Sequence, residues 1–187
     1  MEVRDIQYKE SQIGLIPNDW TVNKLSALSM DIGDGIHTTP KYVNDSEYYF
    51  INGNNLENGL IKCYDETKCV SNEEYELLKK NLNQRTILMS INGTIGNLAF
   101  FNNEKVILGK SAAYINLNDK VDKRFIYFLL QHSSIKNFYE NELTGTTIRN
   151  LSLKSIRDTP IPLPPTKSEQ TAIATALSDT DALIENL

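Results

Sequence analysis

The segment from Pro160 to Pro165 limits the possible folds of this 187-residue chain more strongly than any other stretch. Four of its six residues are proline. Each proline fixes φ near −65° and lacks a backbone N–H, so the segment is predicted to be stiff and extended. Thr166 and Glu169 then form a capping box, which starts a helix that runs to the end of the chain. We therefore expect one domain over residues 1–165 and a C-terminal helix over residues 166–187.

The apolar residues of this C-terminal helix follow a three-and-four spacing. Such spacing places them along one stripe, which is typical of the seam of a coiled coil or a helix pair. An isolated helix of about 20 residues would expose this stripe to water, so we expect it to pack on its own domain or on another helix. The predicted seam consists of Ile173, Ala176, Leu177, Thr180, Leu183, Ile184 and Leu187.

The domain before the prolines is predicted to belong to the α/β class, in its α+β form. Short stretches rich in β-branched and aromatic residues alternate with Gly-rich turns, which favours a mixed, twisted sheet with flanking helices. Residues 33–45 carry two glycines and a proline within eight positions, so no regular element is expected there. The predicted strands span residues 48–51, 86–91, 98–101, 106–108 and 112–117.

Two helices are predicted inside this domain. Ser71 and Glu74 form a capping box at the start of a helix over residues 71–82. Asp122 is a suitable N-cap for a second helix over residues 122–139, whose aliphatic and aromatic side chains recur near a 3.6-residue period. We interpret those aromatic side chains as core rather than as a platform on which bases stack.

The composition excludes several classes of protein. Hydrophobic residues make up 40% of the chain and charged residues 23%, which is typical of a globular rather than a disordered protein. The net charge of −5 excludes a histone-like basic binder, although DNA binding depends on local charge rather than on the sum. No apolar stretch approaches the ~20 residues of a membrane span, and the N-terminus lacks the apolar core of a signal peptide. We therefore expect a cytoplasmic protein.

Residues suited to catalysis or metal binding are scarce. Gly109-Lys110-Ser111 is similar to the end of a phosphate-binding loop, but Glu104 stands where that loop needs a glycine. Glu66 and Lys68 have the Glu-x-Lys spacing of a nuclease metal site, which leaves a small nuclease open as one alternative. The histidines and cysteines show no metal-ligand spacing, so no metal or cofactor is expected, and the cysteines are expected to be reduced thiols rather than a disulfide. These residues are His37, Cys63, Cys69 and His132.

Four short motifs occur along the chain in a defined order. They are Gly14-Leu15-Ile16-Pro17-x-x-Trp20, Leu88-Met89-Ser90-Ile91-Asn92-Gly93-Thr94-Ile95-Gly96, Thr144-Gly145-Thr146-Thr147-Ile148-Arg149-Asn150-Leu151-Ser152, and Ile161-Pro162-Leu163-Pro164-Pro165 with the helix that follows it. In that order they resemble the specificity (S) subunits of type I restriction-modification systems. The resemblance extends from about Gly14 to Leu187.

This resemblance implies a target recognition domain over residues 1–165, which reads one half of a split DNA site. It implies that residues 166–187 begin the conserved helix that spaces two such domains and docks modification (M) subunits. Partner M and restriction (R) subunits would then methylate adenine or cut DNA, and this chain would itself be no enzyme.

The chain departs from the family pattern in one respect. A typical S subunit holds two recognition domains and two spacer helices, whereas this chain has one domain and part of one helix. A natural half-subunit, a truncated gene and an excised fragment all fit this length. Two copies that pair through antiparallel helices would rebuild a whole subunit, so a homodimer is expected.

Polar loops supply the residue types that read DNA. Asn, Gln, Arg, Lys, Ser and Thr reach base edges in the major groove, while Lys, Arg and hydroxyls hold phosphates. Residues 144–167 include four cationic residues and one acidic residue, which gives a local excess of three positive charges. Arg157, in the same stretch, is a further candidate for a phosphate contact. The predicted contacts with double-stranded DNA are His37, Thr38, Thr39, Lys41, Tyr42, Asn54, Asn55, Asn92, Thr94, Lys110, Ser111, Thr146, Thr147, Arg149, Asn150 and Lys154.

A second function stays open beside DNA recognition. The chain would be an interaction module that binds M subunits through its helix without reading DNA. Loss of DNA binding even with M subunits present would distinguish this module from a recognition subunit.

Overall fold

The computed structural model describes residues 7–145 and 149–185, which form strands, α-helices and two short 3-10 helices. The strands are β1 (Tyr8–Ser11), β2 (Gly14–Pro17), β3 (Thr21–Lys24), β4 (Ser29–Asp34), β5 (Tyr42–Val43), β6 (Tyr48–Ile51), β7 (Leu56–Glu57), β8 (Leu60–Ile61), β9 (Cys69–Val70), β10 (Thr86–Ser90), β11 (Leu98–Phe100), β12 (Val106–Leu108), β13 (Ala112–Leu117) and β14 (Pro160–Leu163). The helices are α1 (Asn72–Leu78), α2 (Lys123–Gln131), α3 (Ser133–Glu142), α4 (Leu153–Asp158) and α5 (Lys167–Glu185), and the 3-10 helices span Leu25–Leu28 and Gly53–Asn55.

The predicted α+β class is confirmed, and the strands are divided among several small sheets. One antiparallel sheet has the order β11-β10-β13-β4, and a second has the order β12-β6-β9-β5, in which β12 and β6 run parallel. Three further sheets, β1-β2, β3-β14 and β7-β8, have two strands each within the described residues.

Strand β10 lies between the two hydrophobic cores of the domain. Successive side chains of a strand point to opposite faces of its sheet. Ile87 and Met89 enter the larger core with the helices, whereas Leu88 enters the smaller core with Ile51 and Leu108. Every residue of β10 is therefore buried, which explains why Ile87, Leu88 and Met89 are consecutive apolar residues rather than part of an alternating pattern.

The Pro-rich segment forms a buried strand. β14 pairs antiparallel with β3, and Leu163 lies opposite Thr21. Proline tolerates such a position because β14 has a single partner strand within this sheet, so a missing N–H on its other side removes no ladder bond. The extended conformation was predicted, but its pairing with residues near the start of the domain was not.

The first half of α5 packs on the domain itself. Ala174 is fully buried in the larger core, and Ile173 packs against that core. Thr171 Oγ1 donates a hydrogen bond to Asp122 Oδ2 at 3.0 Å, beside the start of α2. The later seam residues Ala176, Leu177, Thr180, Leu183 and Ile184 are exposed, and Leu187 lies outside the described residues. Across residues 7–145 and 149–185, no helix is long and apolar enough to cross a membrane.

The predicted helix over residues 122–139 is in fact two helices. Asp122 caps α2 as predicted, because its carboxylate accepts hydrogen bonds from the amides of Arg124 and Phe125. His132 then adopts an extended backbone, with φ −63° and ψ 143°, and its Nδ1 accepts a hydrogen bond from the Ser134 amide at 3.3 Å. The apolar period continues across the break because α2 and α3 bury their side chains in the same core.

The predicted loop over residues 33–45 also contains regular structure. Gly33 and Asp34 complete β4, and Tyr42 begins β5. Gly33 suits the strand because the Tyr114 ring lies over it, and a Cβ at position 33 would stand 2.5 Å from Tyr114 Oη. The glycine here permits close packing in a sheet rather than a turn.

Candidate nucleic-acid interface

The turn between β12 and β13 holds three other segments in place through backbone hydrogen bonds. The Ile36 amide donates to Leu108 O at 2.7 Å, and the Gly109 amide donates to Ile51 O at 2.8 Å. The Ile91 amide donates to Ser111 O at 2.9 Å. These bonds bring polar loops from distant parts of the sequence to one end of the domain.

A fourth segment joins the same end of the domain. The Leu151 amide donates to Ile91 O at 2.9 Å, and the Gly93 amide donates to Arg149 O at 3.4 Å. Asn92 and Asn150 form an isolated antiparallel bridge. We call the five segments 35–37, 51–54, 91–96, 108–112 and 149–151 the loop cluster.

Side-chain hydrogen bonds fix the centre of the loop cluster. Ser111 Oγ accepts from the Gly53 amide at 3.0 Å and donates to Asn52 Oδ1 at 2.9 Å. Asn92 Nδ2 donates to Lys110 O at 3.4 Å. Ser111 is thereby committed to internal bonds, whereas the Lys110 ammonium is exposed and has no partner among the described residues.

Two glycines allow the segments to approach so closely. A Cβ on Gly35 would lie 2.1 Å from Leu108 O, and a Cβ on Gly109 would lie 2.3 Å from Asn52 Oδ1. Real Cβ atoms do not approach other heavy atoms so closely. The backbone contact therefore requires glycine at position 35, whereas a Cβ at position 109 would displace the Asn52 side chain from its place beside Ser111.

Most of the predicted DNA contacts lie in the loop cluster or beside it. His37 Nε2 lies 2.8 Å from Asp34 Oδ2, and its side chain is 67% exposed. Lys41 is exposed, and its backbone amide donates to Glu74 Oε1 at 2.9 Å, so this stretch passes close to α1. The exposed or half-exposed candidates here are His37, Thr38, Thr39, Lys41, Tyr42, Asn54, Asn92, Thr94, Lys110, Ser111, Arg149 and Asn150.

Asn55 does not belong to this exposed set. It is 5% exposed, its Nδ2 donates to Lys62 O at 2.8 Å, and its Oδ1 accepts from the Asn52 amide at 2.9 Å. Its amide therefore holds the local backbone together and is unavailable to a base. The predicted contacts Thr146 and Thr147 lie outside the described residues.

The local positive excess between residues 144 and 167 does not form a free cationic patch. Arg149 pairs with Glu140, and Arg157 donates to the backbone oxygen of Ile32. Lys167 Nζ donates to Asp119 O at 2.7 Å. Each of these cations already has a partner inside the domain, which sequence counting does not show.

Lys154, the last predicted contact, is also paired. Its Nζ lies 2.8 Å from Asp158 Oδ2, and Lys24 Nζ lies 2.7 Å from Asp158 Oδ1. The hydrogen bonds from Lys154 and then Lys24 lower the pKa of the Asp158 carboxyl to about 2. A DNA phosphate would have to compete with this carboxylate for Lys154.

One part of the site is not indicated by any sequence motif. An open depression adjoins the loop cluster at Asn52 and Asn54. It is lined by Tyr42, Phe50, Asn52, Asn54, Asn55, Tyr64, Glu66, Thr67 and Lys68. No sequence motif includes Asn52 in a site, and the spacing of Glu66 and Lys68 indicates only the nuclease alternative. Among the described residues no group of three His, Cys, Asp or Glu side chains is placed to hold a metal ion.

Comparisons with known proteins show the family and the fold of the chain. Residues 17–187 match the family described as "Type I restriction modification DNA specificity domain". The specificity subunits MjaIX and MjaVIII of Methanocaldococcus jannaschii are 28% and 29% identical to the chain, over 97% and 95% of its length. Those alignments cover 42% and 43% of the two relatives, so the chain spans about two-fifths of their length.

Solved structures show the same fold. The chain is similar to the crystal structure of a type I restriction-modification S subunit from M. genitalium, with a TM-score of 0.64 and 24% identity over 98% of this chain and 41% of that one. It is also similar to the HsdS subunit from Thermoanaerobacter tengcongensis, with a TM-score of 0.65 and 16% identity over 91% of this chain and 39% of that one. The family match covers most of the chain, and the chain belongs to the type I restriction-modification DNA specificity family.

Proposed function

We propose that this chain is a non-catalytic specificity subunit that reads one half of a bipartite double-stranded DNA site. Partner M and R subunits in the cytoplasm would then methylate adenine at the site or restrict DNA. In this proposal residues 1–165 recognise DNA, and residues 166–187 begin the helix that spaces domains and docks partners.

The convergence of polar loops at one end of β12 and β13 carries this proposal. The loop cluster presents amides, hydroxyls and the unpaired Lys110 on a rigid frame, and these groups read base edges and hold phosphates. The frame is rigid because its segments are joined by backbone bonds such as Gly109 N to Ile51 O. Binding proteins commonly carry their functional residues on loops that a packed scaffold holds in position.

Charge limits what the isolated chain does. The net charge is −5, and several cations are already paired inside the domain. Because nonspecific DNA affinity depends on neutralising phosphates, the chain alone binds weakly, and M subunits supply most of the positive surface. Tight, salt-resistant binding by the isolated chain would contradict this part of the proposal.

The exposed end of α5 supports a role in assembly. Leu183 and Ile184 are 70% and 63% exposed, and Leu177 is 41% exposed. Pairing of two copies through these side chains would bury them and would place two recognition domains in one assembly. An interaction module that does not read DNA would use the same face of α5. A measurement of DNA binding in the presence of M subunits therefore distinguishes such a module from a recognition subunit.

The proposed DNA surface is tested with two lysines at opposite ends of one strand. Lys110 precedes β13 in the loop cluster, whereas the exposed Lys120 follows it, and the strand between them extends roughly 16 Å. With M subunits present, Lys110→Ala is expected to weaken binding to the selected DNA site. The plot of log affinity against log salt is expected to become less steep, with the magnitude of its slope reduced by about one. Lys120→Ala is expected to leave that slope unchanged. Equal slopes for Lys110→Ala and the unsubstituted chain would contradict the placement of DNA at the loop cluster.

A further inference from the structure

The depression beside the loop cluster is lined by aromatic rings and by unpaired polar groups. The rings of Tyr42 and Phe50 have centroids 5.8 Å apart, and the exposed fraction of Tyr42 is 41%. Asn54, Glu66 and Lys68 also line the depression. Within the part of the chain that the structure describes, these three side chains have no hydrogen-bonded or ion-paired partner.

The turn that carries Glu66 is held in place from both sides. Thr67 Oγ1 accepts from the Tyr64 amide at 2.8 Å, and the Thr67 amide donates to Tyr64 O at 2.9 Å. Asn55 joins this turn to the loop cluster, because its Nδ2 bonds Lys62 O at 2.8 Å and lies 3.5 Å from Thr67 Oγ1. On the other side, Lys68 O accepts from the Phe50 amide at 2.8 Å. Glu66 is therefore presented from a fixed turn and not from a loose loop.

An unpaired carboxylate at a DNA surface is suited to accept a hydrogen bond from a base amino group rather than to hold a phosphate. Phosphates repel it, so it raises no general affinity for DNA. As an acceptor without a proton, it bonds an exocyclic amino group in the major groove, and it is repelled by the acceptor atoms of guanine and thymine. Cytosine is favoured over adenine because the N6 amino group of adenine lies beside its N7 acceptor, which repels a carboxylate. The neighbouring Lys68 ammonium is suited to a phosphate, which offsets the repulsion of the carboxylate.

We propose that Glu66 is a specificity-determining residue, which accepts a hydrogen bond from the N4 amino group of a cytosine in the half-site, with Lys68 on an adjacent phosphate. This inference rests on the proposed function and names one base contact of the same surface. Asn55 is a positioning residue in this arrangement, since it acts on DNA only through the turn that bears Glu66.

The test compares base preferences rather than affinity alone. The full chain with its M subunits selects from randomised duplex DNA, and the bound pool is sequenced. Glu66→Gln adds a donor to the acceptor, so discrimination for cytosine at one position is expected to fall by about tenfold while the other positions keep their preferences. Asp65→Asn is the matched control, because Asp65 is exposed in the same turn and does not line the depression. It removes the same charge and is expected to alter no preference.

Lys68→Ala provides a second readout. It is expected to weaken binding to all sequences about equally. It is also expected to reduce the magnitude of the slope of log affinity against log salt by about one. An unchanged preference for Glu66→Gln, or a uniform change in affinity at all positions, would overturn the role of Glu66 while leaving the proposed function intact. A chain that selects no sequence at all with its M subunits would overturn the proposed function itself, and this inference with it.

Discussion

Gln170 in the C-terminal helix accepts a hydrogen bond from the backbone amide of Asp122, with 2.8 Å between Gln170 Oε1 and Asp122 N. Gln170 is 3% exposed, and Asp122 is the residue that caps α2. The helix that follows the prolines is therefore fixed to the domain at the start of α2. Its exposed apolar end is held in a defined direction relative to the domain.

Loss of this bond is expected to reduce the stability of the whole chain. Gln170→Ala leaves the Asp122 amide without its partner in a part-buried site, so we expect the free energy of unfolding to fall by about 1–2 kcal/mol. The measurement is urea unfolding followed by circular dichroism. Ser168→Ala, an exposed change two residues earlier, is expected to stay within about 0.5 kcal/mol of the original chain. Equal stability of the two variants would show that the contact contributes nothing.

The paired carboxyl of Asp158 predicts an acid-sensitive step in stability. Its pKa falls from 3.8 to about 2 in the folded chain, because Lys154 and Lys24 both bond the charged form. A lowered folded-state pKa stabilises the fold above pH 3.8, and this contribution is lost as pH falls from 3.8 towards 2. Asp158→Asn is therefore expected to show a smaller loss of unfolding free energy between pH 5 and pH 2.5. Identical pH profiles for the two chains would contradict this account.

The close approach of backbone oxygens to Gly35 predicts that Gly35→Ala, which adds one methyl group, strongly lowers the free energy of unfolding. Gly35→Ala places a Cβ against the backbone oxygens of Leu108 and Gly109, which have no flexible end to move. We expect a loss of about 3 kcal/mol in unfolding free energy and weaker DNA binding. Gly93→Ala is the comparison, because its φ is +72° but the space around it is open. Its expected cost is only about 1 kcal/mol of backbone strain, and a similar loss in both variants would contradict the steric argument.

The exposed end of α5 predicts self-association. We expect light scattering over a concentration series to approach twice 21.2 kDa for the chain. The double variant Leu183→Ser with Ile184→Ser removes apolar surface that a second copy would bury, so its mass is expected to stay near 21.2 kDa. Asp179→Asn changes an exposed polar residue of the same helix and is expected to dimerise like the original chain. A monomer at every concentration would contradict pairing of two copies in isolation.

Strand bounds and helix caps were predicted well because they depend on residues that are close together in the sequence. Strands β12 and β13 have the predicted bounds, and the capping residues Ser71, Asp122 and Thr166 each accept a hydrogen bond from a helix amide. These features depend on a few neighbouring residues, which the sequence displays directly. The break at His132 was missed because one extended residue leaves the apolar period of the two helices unchanged.

The site was harder to predict because its residues meet only in the fold. Glycine-rich polar loops were visible in sequence, but their convergence on the turn after β12 depends on long-range backbone bonds such as Ile36 to Leu108. Burial of Asn55 and the pairing of Arg149 with Glu140 likewise follow from tertiary packing. Counting residue types therefore overstates how much free positive charge the domain presents.

Hydrogen–deuterium exchange of the chain with its M subunits, with and without the selected duplex, tests the central claim most directly. The account predicts that DNA slows exchange in peptides covering residues 36–42, 52–54, 92–96 and 109–111. It predicts no change in the β1-β2 hairpin. Protection of that hairpin, with the loop cluster unaffected, would show that DNA binds elsewhere and would contradict the account.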